Sequence, residues 1–342
     1  MSIIFQWNYK MSDNSFEKIN YYLRPNKQVE RKILIDILLH FRKYIDLNRF
    51  SYIGMGSIYY YDFILIHRFL GLKNLISFDD AKTIKRFKFN KPYDFIDFQS
   101  EFSTDYLAKH PWQETNTITW LDYDGSFCDY IDSIINDIKI LAKNCNNHDL
   151  AFLTINCFPP KERAKKDFIE NYKRFISPEY LDIEWTKSDN FPYLIQNIMN
   201  NVFINENLYA ENKYTKICSF LYRDGAPMYT LGCFFTSEEP LLNEIKDMHE
   251  YISFDPKHIH NILIPQITYK EKHYLDNNIL QIKEWVDVCT ELVILNEPDQ
   301  SLHEDMIQKM LNEEMDFELS TKQINNYLQH YRFMPQYFEG II

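Results

Sequence analysis

What most constrains this chain is a rhythm of short, largely apolar, β-type runs separated by amphipathic stretches. The runs are residues 50–53, 74–78, 95–98, 117–121 and 150–157. A strand wetted on one face alternates polar and apolar residues, whereas a strand apolar at every position must be covered on both faces. Between the runs the spacing turns helical. Val29, Ile33, Ile37, Leu38 and Phe41 follow Pro25 over residues 26–45, and Ile131, Ile134, Ile135, Ile138 and Leu141 recur in 128–142. Strands covered on both faces and alternating with helices select a parallel sheet between two helical layers. Gly71 is placed to end a second helix spanning 58–70, and Pro159-Pro160 stops the fifth strand.

The pattern then changes. Residues 215–222 and 228–235 are β-type runs flanking Arg223-Asp224-Gly225-Ala226-Pro227, and Asp-Gly between two such runs signals a hairpin. The expected fold is therefore α/β: a mostly parallel seven-stranded sheet with a terminal antiparallel hairpin, helices on both faces and a helical C-terminal extension. The expected divisions are an N-terminal arm at 1–25, the α/β domain at 26–237 and the extension at 238–342. The last segment carries Tyr327, Tyr331, Phe333, Tyr337 and Phe338 and is expected to pack on the main domain or to meet a protein partner or second copy. A chain of 342 residues can bury most of its apolar surface without disulfides. Its six cysteines form no C-x-x-C pair and read as reduced core residues. No apolar run approaches the roughly 20 residues of a membrane span, and no signal peptide opens the chain, so a cytoplasmic protein is expected.

Charge bears on partners. A net charge of −12 argues against nucleic acid as a general partner, although it leaves room for a local basic cleft. Arg24, Lys27, Arg31 and Lys32 stand out at the first helix. They read either as a solvated helix face or, for Arg24 and Lys27, as a site for an anionic substrate or ligand carboxylate.

Three places at the ends of strands carry chemistry. Gly54-Met55-Gly56-Ser57 follows the first strand, where a sharp turn and close backbone approach to a ligand both favour residues without a Cβ. Asp79 and Asp80 close the second strand, about twenty residues beyond Gly56, the separation used by nucleoside-binding α/β units. Asp80 serves equally well as a cap for the next helix. Asp122-Tyr123-Asp124-Gly125 closes the fourth strand. Residues two apart on an extended segment share a direction, so Asp122 and Asp124 are expected together at the carboxyl edge of the sheet. They could accept a proton, orient a hydroxyl, hold a divalent metal or simply form a turn. Tyr123 and Asn156, the latter closing the fifth strand, are expected to line the same edge. Tyr59, Tyr60 and Tyr61 precede Asp62 and read as core or as a cofactor-facing surface. His67 reads as structural and Arg223 as solvent-facing.

These features resemble class I S-adenosylmethionine-dependent methyltransferases over about residues 26–236. Gly54-Met55-Gly56-Ser57 looks like that family's cofactor loop, Asp79 and Asp80 stand where its ribose-binding acid stands, and Asp122-Tyr123-Asp124-Gly125 stands where it places catalytic or substrate-contacting residues. Residues 52–71 and 120–125 also resemble uncharacterised bacterial proteins labelled O-methyltransferases. The resemblance implies S-adenosylmethionine as cofactor, bound by Gly54, Met55, Gly56, Ser57, Asp62, Asp79 and Asp80. It implies methyl transfer to an oxygen of an unknown acceptor, with Asp122 and Asp124 as catalytic groups and Arg24, Lys27, Tyr123 and Asn156 on the acceptor. Two departures qualify it. Tyr52 occupies a position where the family commonly has an acid, and Tyr123-Asp124-Gly125 breaks the Asp/Asn-Pro-Pro-aromatic signature of amino-methyltransferases. Two alternatives therefore stay open: a non-catalytic interaction subunit on a methyltransferase scaffold, and a metal-dependent nucleotide-binding enzyme.

Overall fold

The computed structural model describes residues 24–79, 84–181, 184, 189–297, 299, 302–315 and 317–334. The expected arm up to residue 23, Asp80, and the tail from 335 on, with Tyr337 and Phe338, lie outside the described residues. The expected alternation forms. Helix α1 (Pro25–Phe41) leads into β1 (Ser51–Met55), α2 (Tyr61–Leu65) into β2 (Leu75–Phe78), and α3 (Ile84–Phe89) into β3 (Ile96–Gln99). Helix α4 (Ser103–Lys109) precedes β4 (Thr117–Ser126), and α5 (Phe127–Asn144) precedes β5 (Leu150–Asn156). Helices α6 (Glu162–Tyr172) and α7 (Phe191–Glu206) then lead to a hairpin of β6 (Lys213–Asp224) and β7 (Ala226–Thr236).

The sheet is mixed and has eight strands, in the order β3-β2-β1-β4-β5-β7-β6-β8. The first five pair in parallel, and β7 runs antiparallel between β5 and β6. The expected count of seven is corrected by β8 (His260–Ile262), which comes from the extension and pairs in parallel with β6. Three residues without the periodicity of a strand gave no sequence signal. They pair because the outer edge of β6 presents unmatched N–H and C=O groups. The extension otherwise consists of helices α8 (Glu239–Lys246), α9 (Tyr269–Asn277), α10 (Ile279–Asn296), α11 (His303–Glu314) and α12 (Thr321–His330).

Each sheet face has its own core. One is formed by α1, α2 and the extension, around Val29, Leu38, Phe63, Trp120 and Phe220. The other is formed by α4, α5, α6 and α7, around Leu107, Ile134, Phe168 and Ile195. In α1, Val29, Ile33, Ile37, Leu38 and Phe41 are fully buried. At roughly 1.5–3 kcal/mol per buried side chain, that stripe alone anchors the helix to the sheet. Pro25 opens α1 without a side-chain cap of its own. The hairpin supplies one: the Asp224 carboxylate accepts from the backbone N–H groups of Asn26 (3.2 Å) and Lys27 (2.8 Å). This clasp fixes the start of α1 over the carboxyl edge of the sheet. None of the six cysteines is disulfide-bonded. No helix among the described residues is long and apolar enough to cross a membrane.

Candidate functional site

The parallel registers set the geometry of the carboxyl edge. Met55 lies opposite Phe78 on β2, and Gly54 lies opposite Trp120 on β4. Continuing the chain one or two residues puts Gly56 between Asp79 and Asp122. The two acids then stand about two strand spacings, or roughly 10 Å, apart across the glycine turn. Asp79 is half-buried, and its backbone N–H donates to Gln99 (3.2 Å). Gly54 and Gly56 are buried, while Met55 and Ser57 are half-buried.

The glycines are required where they stand. A Cβ on Gly54 would meet the Tyr52 hydroxyl at 2.9 Å, and one on Gly56 would meet Ser77 Oγ at 2.1 Å. Tyr52, standing in place of an acid, thus fills the space beneath the turn with its ring. Ser77 Oγ is buried beside Gly56 without a hydrogen-bond partner. The turn also ends later than the sequence suggests. The helix expected from residue 58 begins at Tyr61, after a turn closed by the Tyr60 N–H on the Ser57 carbonyl (3.1 Å). Tyr60 sits in the left-handed region at φ 48°, an unfavourable conformation for a side-chain-bearing residue, and its hydroxyl donates to Phe87 O (3.1 Å). Five residues on, the helix widens to a π-helix over Ile66–Leu70 and ends at Gly71 in the left-handed conformation.

The cations of α1 are not a solvated face. Lys27 and Arg31 are buried, and Lys32 is half-buried. Lys27 Nζ stands 2.9 Å from Glu30 Oε2 and 2.9 Å from Asp122 Oδ2. It lies 5.3 Å from the centre of the Trp120 ring and 5.6 Å from that of Tyr222, both electron-rich faces that favour a cation. Burial pulls the lysine pKa down, but Asp122 and Glu30 more than reverse this, so Lys27 stays protonated. Burial pushes Glu30 upward against the opposing pull of Lys27.

Glu30 also ends a polar chain. Trp120 has only a donor, and its indole N–H reaches Thr154 Oγ1 at 3.1 Å. Thr154 and Thr230 share a bond of 2.9 Å, and Thr230 donates to Glu30. A donor-only start and an acceptor end fix the direction of the chain. Beside it, Arg31 Nε donates to Asp62 Oδ1 at 2.6 Å in a second buried pair. Asp62, expected at a cofactor, is therefore held by Arg31. The hydroxyl of Tyr222 is buried without a partner next to Lys27.

The other expected residues are scattered. Asp122 is half-buried, its side chain 24% exposed, whereas Asp124 is exposed. Between Asp122 and Ser126 the pairing with β5 is irregular, four β4 residues passing two of β5. That bulge breaks the alternation on which a shared direction for the two acids rested. Tyr123 is corrected outright: it is buried in the opposite layer, its hydroxyl donating to Asp137 Oδ2 (2.7 Å). Asn156 closes an Asx turn, Oδ1 accepting from the Phe158 N–H (2.9 Å), so this oxygen is committed locally. Arg24 is the half-buried N-cap residue of α1. Arg223 is exposed at the hairpin, and His67 is bonded to Leu72 O and packed on Tyr93 and Phe95. Glu30, Trp120, Thr154, Tyr222 and Thr230 were missed. One signal existed: Lys27, Glu30 and Arg31 occupy the stripe of α1 that continues as Leu34 and Leu38, so charges were written onto a buried face. Among the described residues, the one grouping with metal-ligand geometry is Asp36, His40 and His249, on α1 and the extension rather than at this edge.

Comparison with known proteins follows this geometry. Residues 19–342 match the family model described as "Putative O-methyltransferase". No curated protein matches the chain. Among solved structures, Trm1 from Pyrococcus horikoshii with S-adenosyl-L-methionine is similar at 11% identity and a TM-score of 0.42, covering 65% of this chain and 58% of that one. The chain therefore spans little more than half of Trm1. The N-methyltransferase NodS from Bradyrhizobium japonicum is similar at 9% identity and a TM-score of 0.34, covering 61% of this chain and 97% of that one.

Proposed function

This chain belongs to the family described as "Putative O-methyltransferase", a family of methyltransferase enzymes, and from that premise we propose that it moves a methyl group from S-adenosylmethionine to an oxygen of its acceptor. The observation that carries this reading is the parallel register that pairs Met55 with Phe78 and Gly54 with Trp120, from which the chain continues to Gly56, Asp79 and Asp122 at one sheet edge. Open α/β sheets bind their ligands at that edge, where strand order reverses about β1 and β4.

The residues present fit an adenosyl group. Asp79 accepts from the ribose hydroxyls, through charge-assisted bonds. Gly54 and Gly56 let the turn pack directly on Tyr52 and Ser77, which brings its backbone to the sheet edge where the cofactor would lie. The cofactor supplies an electrophilic methyl group. Everything else falls to the chain. Lys27 holds Asp122 in place, and Asp122 takes the proton of the acceptor hydroxyl. Trp120 and Tyr222 wall the acceptor side, and the Tyr222 hydroxyl bonds the acceptor. Methyl transfer depends chiefly on in-line placement, so a rigidly held Asp122 contributes by orientation as much as by basicity.

Calorimetry with S-adenosylmethionine and S-adenosylhomocysteine tests the reading on the folded protein. Binding of both is expected. A flat titration with each would favour the second reading, a non-catalytic subunit. That alternative draws on the Tyr52 ring, packed where the family usually places an acid.

A further inference from the structure

Two segments are basic out of proportion to the rest of the chain. Residues 81–93 and 161–174 carry 11 of the 37 Lys and Arg residues and only three of the 49 Asp and Glu residues. Between Ile84 and Tyr93 there are four cations and no acid. The structure places helices α3 and α6, within these segments, at the same end of the sheet. Helix α3 starts six residues after β2 ends, and α6 starts six residues after β5 ends, so each leaves the carboxyl edge. They flank that edge from opposite sheet faces, Phe87 of α3 packing with the first core and Phe168 of α6 with the second. Strands β2 and β5 are three spacings apart, about 14 Å, with the glycine turn and Asp122 between them. Lys85, Lys88, Lys161, Arg163 and Lys166 are all exposed. The cations of α1, by contrast, are consumed in buried pairs.

Aromatic rings stand at the same rim. Phe102, the N-cap of α4 just beyond β3, is 63% exposed, and Phe158, two residues beyond β5, is 49% exposed. Exposed rings beside clustered cations match a chain of phosphates whose unpaired bases stack on aromatic faces. A folded acidic protein would use the cations but has no use for solitary rings at this spacing.

We propose that the acceptor is a single-stranded RNA gripped by α3 and α6, and that the oxygen methylated is a ribose 2′-hydroxyl. This deepens the proposed function and rests on it. RNA brings a hydroxyl oxygen beside every phosphate, so a polyanion-binding rim and an oxygen-directed site suit one substrate. In the transfer, the 2′-oxygen attacks the methyl carbon and forms the O–C bond. The S–C bond breaks, with its electron pair left on sulfur as a neutral thioether, and the hydroxyl proton passes to Asp122.

The test uses the full chain and a fluorescein-labelled 20-nucleotide RNA of mixed sequence, with DNA of the same sequence alongside. Fluorescence anisotropy at two salt concentrations reads binding, and tritiated S-adenosylmethionine reads transfer. Lys85→Glu with Lys88→Glu, and separately Lys161→Glu with Arg163→Glu, should each weaken RNA binding about tenfold or more. Each pair should flatten the salt slope by about 1.4, at roughly 0.7 per phosphate for single strands. Neither pair should change the calorimetric binding of S-adenosylmethionine, and label should enter RNA but not DNA. Absence of RNA binding at low salt, binding indifferent to both charge reversals, or displacement of the RNA by polyglutamate at equal charge concentration would each overturn the proposal. So would equal labelling of DNA. Cofactor binding without RNA binding defeats this inference alone, whereas RNA binding without cofactor binding defeats the methyltransferase reading.

Discussion

Two aspartates on neighbouring strands, one at each end of the sheet, are held in opposite ways. Asp149, just before β5 at the amino edge, is buried. It accepts from the Thr117 N–H (2.7 Å), the Asn146 N–H (2.8 Å) and the Asn116 amide (2.9 Å). Asp122, at the carboxyl end of β4, meets Lys27 at 2.9 Å and keeps 24% of its side chain exposed. One acid has its lone pairs satisfied by the fold, and the other has oxygen left for something that arrives. Buried polar groups are almost always paired, so an acid held by a single partner at an open edge marks a site, whereas the surrounded one marks a joint. The carboxyl edge repeats the lesson with the unpartnered hydroxyls of Ser77 and Tyr222.

The largest effect should come from the lysine that holds the open acid. Lys27→Met leaves Glu30 and Asp122 without their cation inside the protein. Removing one member of a buried ion pair costs about 3–5 kcal/mol, because the other is left uncompensated. Urea unfolding of the variant reads this loss. A loss below about 1 kcal/mol would show that water already reaches the cluster, and the contrast between the two edges would weaken.

Asp122→Asn tests the open acid itself. It keeps the shape and removes the proton acceptor, so turnover should fall about 100-fold or more. The unfolding midpoint and the affinity for S-adenosylmethionine should hardly move. Asp149→Asn should behave inversely, losing about 1–3 kcal/mol of stability as its amide nitrogen faces the Asn146 N–H, with turnover per folded molecule intact. Equal catalytic loss in both variants would dissolve the distinction.

The surrounded acid also makes a pH prediction. Burial raises the Asp149 pKa from its ordinary 3.8 to about 6, despite the N–H groups that favour the anion. A carboxyl raised on folding binds its proton more tightly in the folded state. Its stabilising contribution is full below about pH 4 and is lost as pH rises through 6. Wild type should therefore gain about 2 kcal/mol relative to Asp149→Asn on going from pH 7 to 4.5. Urea unfolding of both proteins at the two pH values gives the difference. A difference that stays constant, or shrinks on acidification, would mean that the three donors outweigh burial.

Most of the sheet was legible because strand burial writes itself into composition. The run at 150–157 is apolar at most positions and that at 117–121 is rich in β-formers, and both became central strands. Strand β8 was not legible, since three residues at an edge need no periodicity of their own. Gly56 and Asp79 could be placed at the sheet edge because close approach and strand ends leave local marks. The Lys27 cluster was misread because its partners are non-local: the apolar stripe of α1 marks the face as buried, but Asp122 and Asp62, which pair with Lys27 and Arg31, lie far along the chain. Tyr123 failed for a related reason. Alternation along a strand says which neighbours share a face, but it does not say which face a ligand will use, and Asp137 waits on the other one.

The smallest effect sharpens the comparison within the carboxyl edge. Asp79 and Asp122 lie on either side of the glycine turn, and the proposed function gives the first to the adenosyl group and the second to the acceptor. Asp79→Ala should weaken S-adenosylmethionine by about tenfold, near 1.4 kcal/mol, the cost of losing a charge-assisted bond in a partly open site. At saturating cofactor, turnover should recover to near the wild-type value, since the acid acts in binding and not in proton transfer. Asp122→Asn should show no such recovery at any cofactor concentration. If added cofactor restores both variants, or neither, the edge is a single pocket in which the two acids share one role, and the division of labour between β2 and β4 has to be given up.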